Sequence, residues 1–155
     1  MQKETSGSGV HSDINSHIID LGRFLVGEFQ EVCGLLNTFV PERPLADSPA
    51  KAPKKIGKVT APDSAMFIGR MENGVLANME ATRCATGRKN HIEIEINGSK
   101  GSIFFDFEDM NRLKFYNGDD PKDRQGFRDI IVTARDGIHP YVGNWWPPGH
   151  GLGYE

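Results

Sequence analysis

The chain has 155 residues, 37% of them hydrophobic and 25% charged, enough apolar material for one domain with a real core and too much for a disordered segment. A formal net charge of −3 argues against nucleic acid as a partner, and no apolar run is long enough to cross a membrane. Cys33 and Cys84 have no CxxC spacing, and no secretory leader opens the chain. A reducing, cytoplasmic setting with buried thiols is therefore expected.

The stretch Gly7–Gly27, GSGVHSDINSHIIDLGRFLVG, is predicted as a helix with glycine at each end. Val10, Ile14, Ile18, Leu21 and Leu25 form its apolar stripe, Ser8 is the expected N-cap and Gly27 the expected C′ residue. Asp13 and His17 lie four residues apart, on one face; His11 and Ser12 fall outside the stripe. A carboxylate one turn from an imidazole is either a surface ion pair or a proton-transfer pair in which the acid orients the ring.

Phe29 to Val40 follows as a strand, and 41–62, rich in proline and lysine with no apolar period, as a long loop. From Asp63 onward the period drops to two. Strands are expected at Ser64–Met71 and Val75–Thr86, joined by Asn73-Gly74, and at His91–Asn97 with Ile92, Ile94 and Ile96 inward. Further strands are expected at Ile103–Phe107, Arg112–Tyr116 and Phe127–Ala134. The class is α+β: an open, mostly antiparallel sheet of roughly six or seven strands with the helix packed on one face. Its half-polar open face suggests self-association as a homodimer, or simple solvation.

Gly7-Ser8-Gly9 nearly spells a dinucleotide fingerprint but has Ser12 at the third glycine and no βαβ context, so no cofactor loop is expected here. His11, Asp13 and His17 do not make a metal set of the usual three or four spaced ligands, and no metal is expected. Both ends look cut, as in a single domain (1–155) excised from a longer protein.

In its motifs the chain resembles the C-terminal domain of the glucose–fructose oxidoreductase / inositol dehydrogenase (Gfo/Idh/MocA) family. The opening GSGVHSDINSH is similar to the family's G-G-x-x-x-D-[ILV]-G-x-H segment, and the likeness continues through DSAMFIGRMENGVLANMEATR to the closing WWPPGHGLGYE. The resemblance implies an NAD(P)-dependent oxidoreductase acting on sugars or polyols, with His17 as general base and Asp13 as its partner. It also implies that the nicotinamide pocket and an E-K-P lysine belong to a missing N-terminal Rossmann domain, so that this chain holds no cofactor and is inactive alone. Asn15, where the family commonly has glycine, is a candidate substrate contact or a local cap. Arg83, Arg88 and Asn90 are candidates for sugar hydroxyls or for ordinary strand-end chemistry. Trp145, Trp146 and His150 are candidates for one wall of a sugar site or for a packed turn. The alternative is a non-catalytic binding or scaffolding module of the same fold.

Overall fold

A computed structural model of the chain describes residues 9–45 and 55–132. The chain divides into two compact units, Met1–Gly87 and Arg88–Glu155. In the first unit the predicted single helix is two segments, α1 (Val10–Asp13) and α2 (Asn15–Leu25). Serine accounts for the break. Ser16 Oγ donates to Asp13 O at 3.0 Å, the carbonyl that His17 N–H would use in a regular helix, and His17 N–H turns instead to Ile14 O at 3.3 Å.

The start of α1 is not held by a side-chain cap. Ser8 lies outside the described residues, and Val10 N–H donates to Pro62 O at 3.0 Å. Gly9 has φ 66°, and a Cβ there would stand 2.5 Å from Pro62 O, so only glycine fits. At the other end Gly27 N–H donates to Arg23 O at 3.1 Å, and Asn73 Nδ2 donates to Val26 O at 2.8 Å, tying a hairpin tip to the helix.

Five strands follow in this unit: β1 (Phe29–Asn37), β2 (Glu42–Pro44), β3 (Ile56–Lys58), β4 (Ser64–Met71) and β5 (Leu76–Thr82). β1, β4 and β5 form an antiparallel sheet in that order. Its register puts Leu36, Ala65 and Ala81 in one row, Gly34, Phe67 and Met79 in the next, and Val32, Gly69 and Ala77 in a third. These rows face the helix side, where Val10, Ala65 and Ala81 are buried and Ile14 packs on them. At Gly22 a Cβ would come 2.7 Å from Met79 Cε, so the absence of a side chain sets how closely α2 approaches β5. The last residue of the predicted apolar stripe departs from expectation: Leu25 is exposed, as is its neighbour Phe24. So is Cys33, on the opposite face of the sheet, while Cys84 is half-buried.

The expected loop 41–62 contains a short antiparallel ladder, with Glu42 opposite Lys58 and Pro44 opposite Ile56. Three residues a strand, with proline at one end, are too few to show a period. In the second unit β6 (Glu93–Asn97), β7 (Gly101–Asp106), β8 (Arg112–Asn117) and β9 (Arg128–Ile131) form an antiparallel meander in chain order. Ile94, Phe105, Leu113 and Ile130 make one apolar row across all four strands. The α+β, open antiparallel class thus holds, with nine strands among the described residues in three hydrogen-bonded sheets. No helix among the described residues is long and apolar enough to cross a membrane.

The Gly9–Pro62 contact gives a direct expectation. Gly9→Ala adds a Cβ at a positive φ and against a backbone carbonyl, so it should lower stability by more than about 1 kcal/mol, measured by urea unfolding. An unchanged midpoint would mean that the contact relaxes freely.

Candidate functional site

The site is built from the segment before β4. Asp63 is 4% exposed, and its carboxylate accepts N–H bonds from Phe39 (2.8 Å) and Val40 (3.0 Å). Its own N–H donates to Asn37 O at 3.0 Å, and its carbonyl accepts from Arg83 N–H at 2.8 Å and Thr82 Oγ1 at 3.4 Å. Burial alone would push the Asp63 carboxyl up. The backbone donors, with Arg43 nearby, more than offset this and hold it below the usual carboxylate range. Residues 62 and 63 therefore fix both the start of α1, through Pro62 O, and the end of β5, through Asp63 O.

Those two elements meet at Asp13. Arg83, just past β5, donates from Nη2 to Asp13 Oδ2. Asp13 is the last residue of α1, immediately before the break at Ile14. His17, one turn on, is exposed and lines an open depression of about 620 Å³ together with His11, Ser12, Ser16, Ile19, Asp20 and Arg23. This outward face is polar: two imidazoles, two hydroxyls, a carboxylate and a guanidinium. Arg23 also pairs in bidentate fashion with Glu28, at 2.7 and 2.8 Å.

Asn15 is fully buried, and its Nδ2 lies 3.3 Å from His11 Nδ1. The His11 ring meets Phe67 edge-on, with centroids 6.4 Å apart. His11, outside the apolar stripe in the sequence, thus takes part in packing α1 onto β4. Arg88 and Asn90 belong to the second unit. Arg88 Nη1 is 2.6 Å from Glu108 Oε2, a bond that holds the Glu108 carboxyl below its ordinary range; Asn90 is exposed. His150, Trp145 and Trp146 lie outside the described residues.

Sequence reasoning missed two features. Arg83 as the partner of Asp13 is 70 residues away, and only the strand register reveals it. In the second unit His91 Nδ1 stands 3.4 Å from Asp106 Oδ1 and 3.7 Å from Glu108 Oε2, a set of atoms close enough to hold a cation. Arg88 already supplies a positive charge to that same Glu108 oxygen. Gly7 and Ser8 of the near-fingerprint lie outside the described residues; at the helix start Val10 N–H donates to Pro62 O.

An antiparallel sheet backed on one side by a helix, whose outer surface carries polar groups, defines an α+β domain. The chain belongs to the GFO/IDH/MocA family: residues 1–104 match the model of its C-terminal domain. It is 42% identical over 163 aligned positions to a levoglucosan dehydrogenase of Pseudarthrobacter phenanthrenivorans, covering 99% of this chain and 40% of that protein. A solved levoglucosan dehydrogenase in complex with NADH and levoglucosan superposes with a TM-score of 0.83 at 42% identity, over 99% of this chain and 38% of that one. The galactose/lactose metabolism regulatory protein of Kluyveromyces lactis is 27% identical over 119 positions, 72% of this chain and 26% of that protein. The chain thus spans well under half the length of the relatives it matches.

The Asp63 geometry sets a pH dependence. Because the native carboxyl is held below its ordinary value of 3.8, its stabilising contribution is complete above that value and is lost as pH falls through the lower native one. Asp63→Asn should cost about 1–3 kcal/mol at neutral pH, since an amide cannot accept both N–H bonds. The gap should close in acid, followed by urea unfolding at a series of pH values; a pH-independent gap would remove the charge from the account.

Proposed function

We propose that this chain is the substrate-binding and self-associating domain of an NAD(P)-dependent dehydrogenase that oxidises a sugar or polyol. The observation that carries the reading is His17, on the wall of an open polar depression, one turn after an aspartate held by a strand-end arginine. The likeness to levoglucosan dehydrogenase along nearly the whole chain supports a sugar or anhydrosugar as substrate. In this reading His17 takes the proton from the substrate hydroxyl, and Asp13 orients the imidazole. NAD(P), bound by a Rossmann domain outside these residues, accepts the hydride from the same carbon. The domain by itself then binds no cofactor and turns over nothing. The enzyme works in the cytoplasm, where Cys33 and Cys84 remain thiols.

In the full-length protein His17→Ala should cut kcat by about 10²–10⁴-fold and leave NADH affinity unchanged. Stopped-flow and fluorescence titration measure the two, and an unaltered kcat would reject the assignment.

The same reading assigns the open face of the first sheet to a second copy of the chain. Leu35 (74% exposed) sits beside Met66, and Cys33 beside Ile68 (65% exposed), with the exposed Leu76 one row on. These apolar groups share their rows with Glu80, Asn78 and the Glu31–Arg70 pair, and a half-polar face of this kind suits an isologous contact. Ile68→Lys should shift the full-length protein toward monomer in sedimentation velocity; an unchanged oligomer would exclude this face.

The Kluyveromyces relative favours a second reading, a non-catalytic sugar-recognition or regulatory module. It predicts sugar binding by calorimetry with no reduction of NAD⁺ or NADP⁺ by any sugar or polyol, levoglucosan included.

A further inference from the structure

We propose that Arg83 is a positioning residue for the acid/base pair: its guanidinium fixes the carboxylate of Asp13 and, through it, the ring of His17. The inference rests on the reading of Asp13 and His17 given above. Three observations carry it.

The first is where the helix is weakest. Asp13 and His17 flank the break at Ile14, and the hydrogen bond that would link them through the backbone is absent, because Asp13 O accepts from Ser16 Oγ and His17 N–H donates to Ile14 O. The turn that sets the distance between the two side chains is therefore not held by a regular ladder. A restraint from outside the helix has the most effect at such a point.

The second is which partner is fixed. The Arg83 side chain is 28% exposed and the Asp13 side chain 63%, so the arginine is the better packed of the two. Its backbone N–H is bonded to Asp63 O, and the next residue's N–H, Cys84, donates to Thr82 Oγ1 at 3.1 Å. Asp63 is itself buried and bonded on both carboxylate oxygens. A mobile carboxylate is thus gripped by a side chain rooted in a rigid strand end.

The third is the geometry of the grip. A bond from Nη2 anchors Oδ2 and limits the rotamers open to the carboxylate, leaving Oδ1 to accept from another donor. Without it the aspartate is free to change rotamer at a solvent-facing position, and the imidazole it orients loses its alignment with the substrate hydroxyl. Small misplacements of reacting groups of this kind cost about 10²-fold in rate.

The test uses the full-length protein and four variants: Arg83→Met, Arg83→Lys, Asp13→Asn and the double Arg83→Met/Asp13→Asn. Arg83→Met should lower kcat by about 10²-fold with sugar KM and NADH affinity nearly unchanged, and should move the limb of the kcat–pH profile that reports the base. The double variant should be no slower than Asp13→Asn alone, because the arginine acts only through the aspartate. Arg83→Lys keeps the charge without the fork and should show a smaller loss of the same kind, which serves if Arg83→Met fails to fold. A rise in KM at constant kcat with an unmoved pH profile would make Arg83 a substrate contact and overturn the proposal, as would fully additive losses in the double variant. If His17→Ala leaves kcat intact, the pair itself is wrong and this proposal falls with it. If His17→Ala is damaging but Arg83→Met is silent, only the positioning role falls.

Discussion

The structure of the first unit depends on two consecutive residues, Pro62 and Asp63, that no sheet or helix claims. Pro62 presents a carbonyl to the first N–H of α1, and Gly9 lets the chain come close enough to use it. Asp63 is buried with its charge, which is tolerable only because backbone donors from Phe39 and Val40 converge on it. The pair joins the end of β1, the start of the helix and the end of β5 at one place. Every polar group that the proposed chemistry uses in this unit hangs from one of those three elements.

The helix reconciles two demands through its sequence. Gly22 faces the sheet with no side chain, against Met79 of β5, while serines and charged groups occupy the outer surface. The serines have a structural consequence. The Ser16 hydroxyl takes the Asp13 carbonyl where the ladder is interrupted at Ile14, between the carboxylate and the imidazole of interest, whereas Gly9 O, which Ser12 also bonds, keeps its bond from Asp13 N–H. Intrinsic helix strength is thus lowest where relative side-chain position matters most. The long-range tie from Arg83 acts on that turn.

Most of the strand pattern was legible in the sequence, because alternation and the Asn-Gly turn are local signals. Ser64–Met71 matches to the residue, and the neighbouring strands differ only at their ends. The ladder of β2 and β3 was not legible: three-residue strands carry no period, and proline and lysine there read as loop. The helix break escaped notice for a similar reason, since serine at 12 and 16 suits an exposed helical face until its hydroxyl finds a carbonyl. Of the candidate site, spacing singled out Asp13 and His17 as a pair but left a surface ion pair and a proton-transfer pair both open, and the family resemblance supplied the roles. Arg83 and the His91 cluster could not be paired in this way, because they are brought to their partners by strand register over long sequence separations. Asn15, expected as a substrate contact or a local cap, is instead fully buried against His11, a placement that depends on which way α1 faces.

Gly9, Val10, His11, Ile14 and Gly22 pack α1 and α2 onto the sheet, and Asp13 adds a tie to the end of β5 through Arg83. In the proposed reading, packing and reactivity are encoded largely by separate letters of the same helix. A lineage can erase the two reactive letters and keep a folded body with a polar hollow still able to recognise a ligand. Catalysts and sensors descended from one architecture need differ by no more than that, which gives a physical reason for a metabolic regulator and a dehydrogenase to share it.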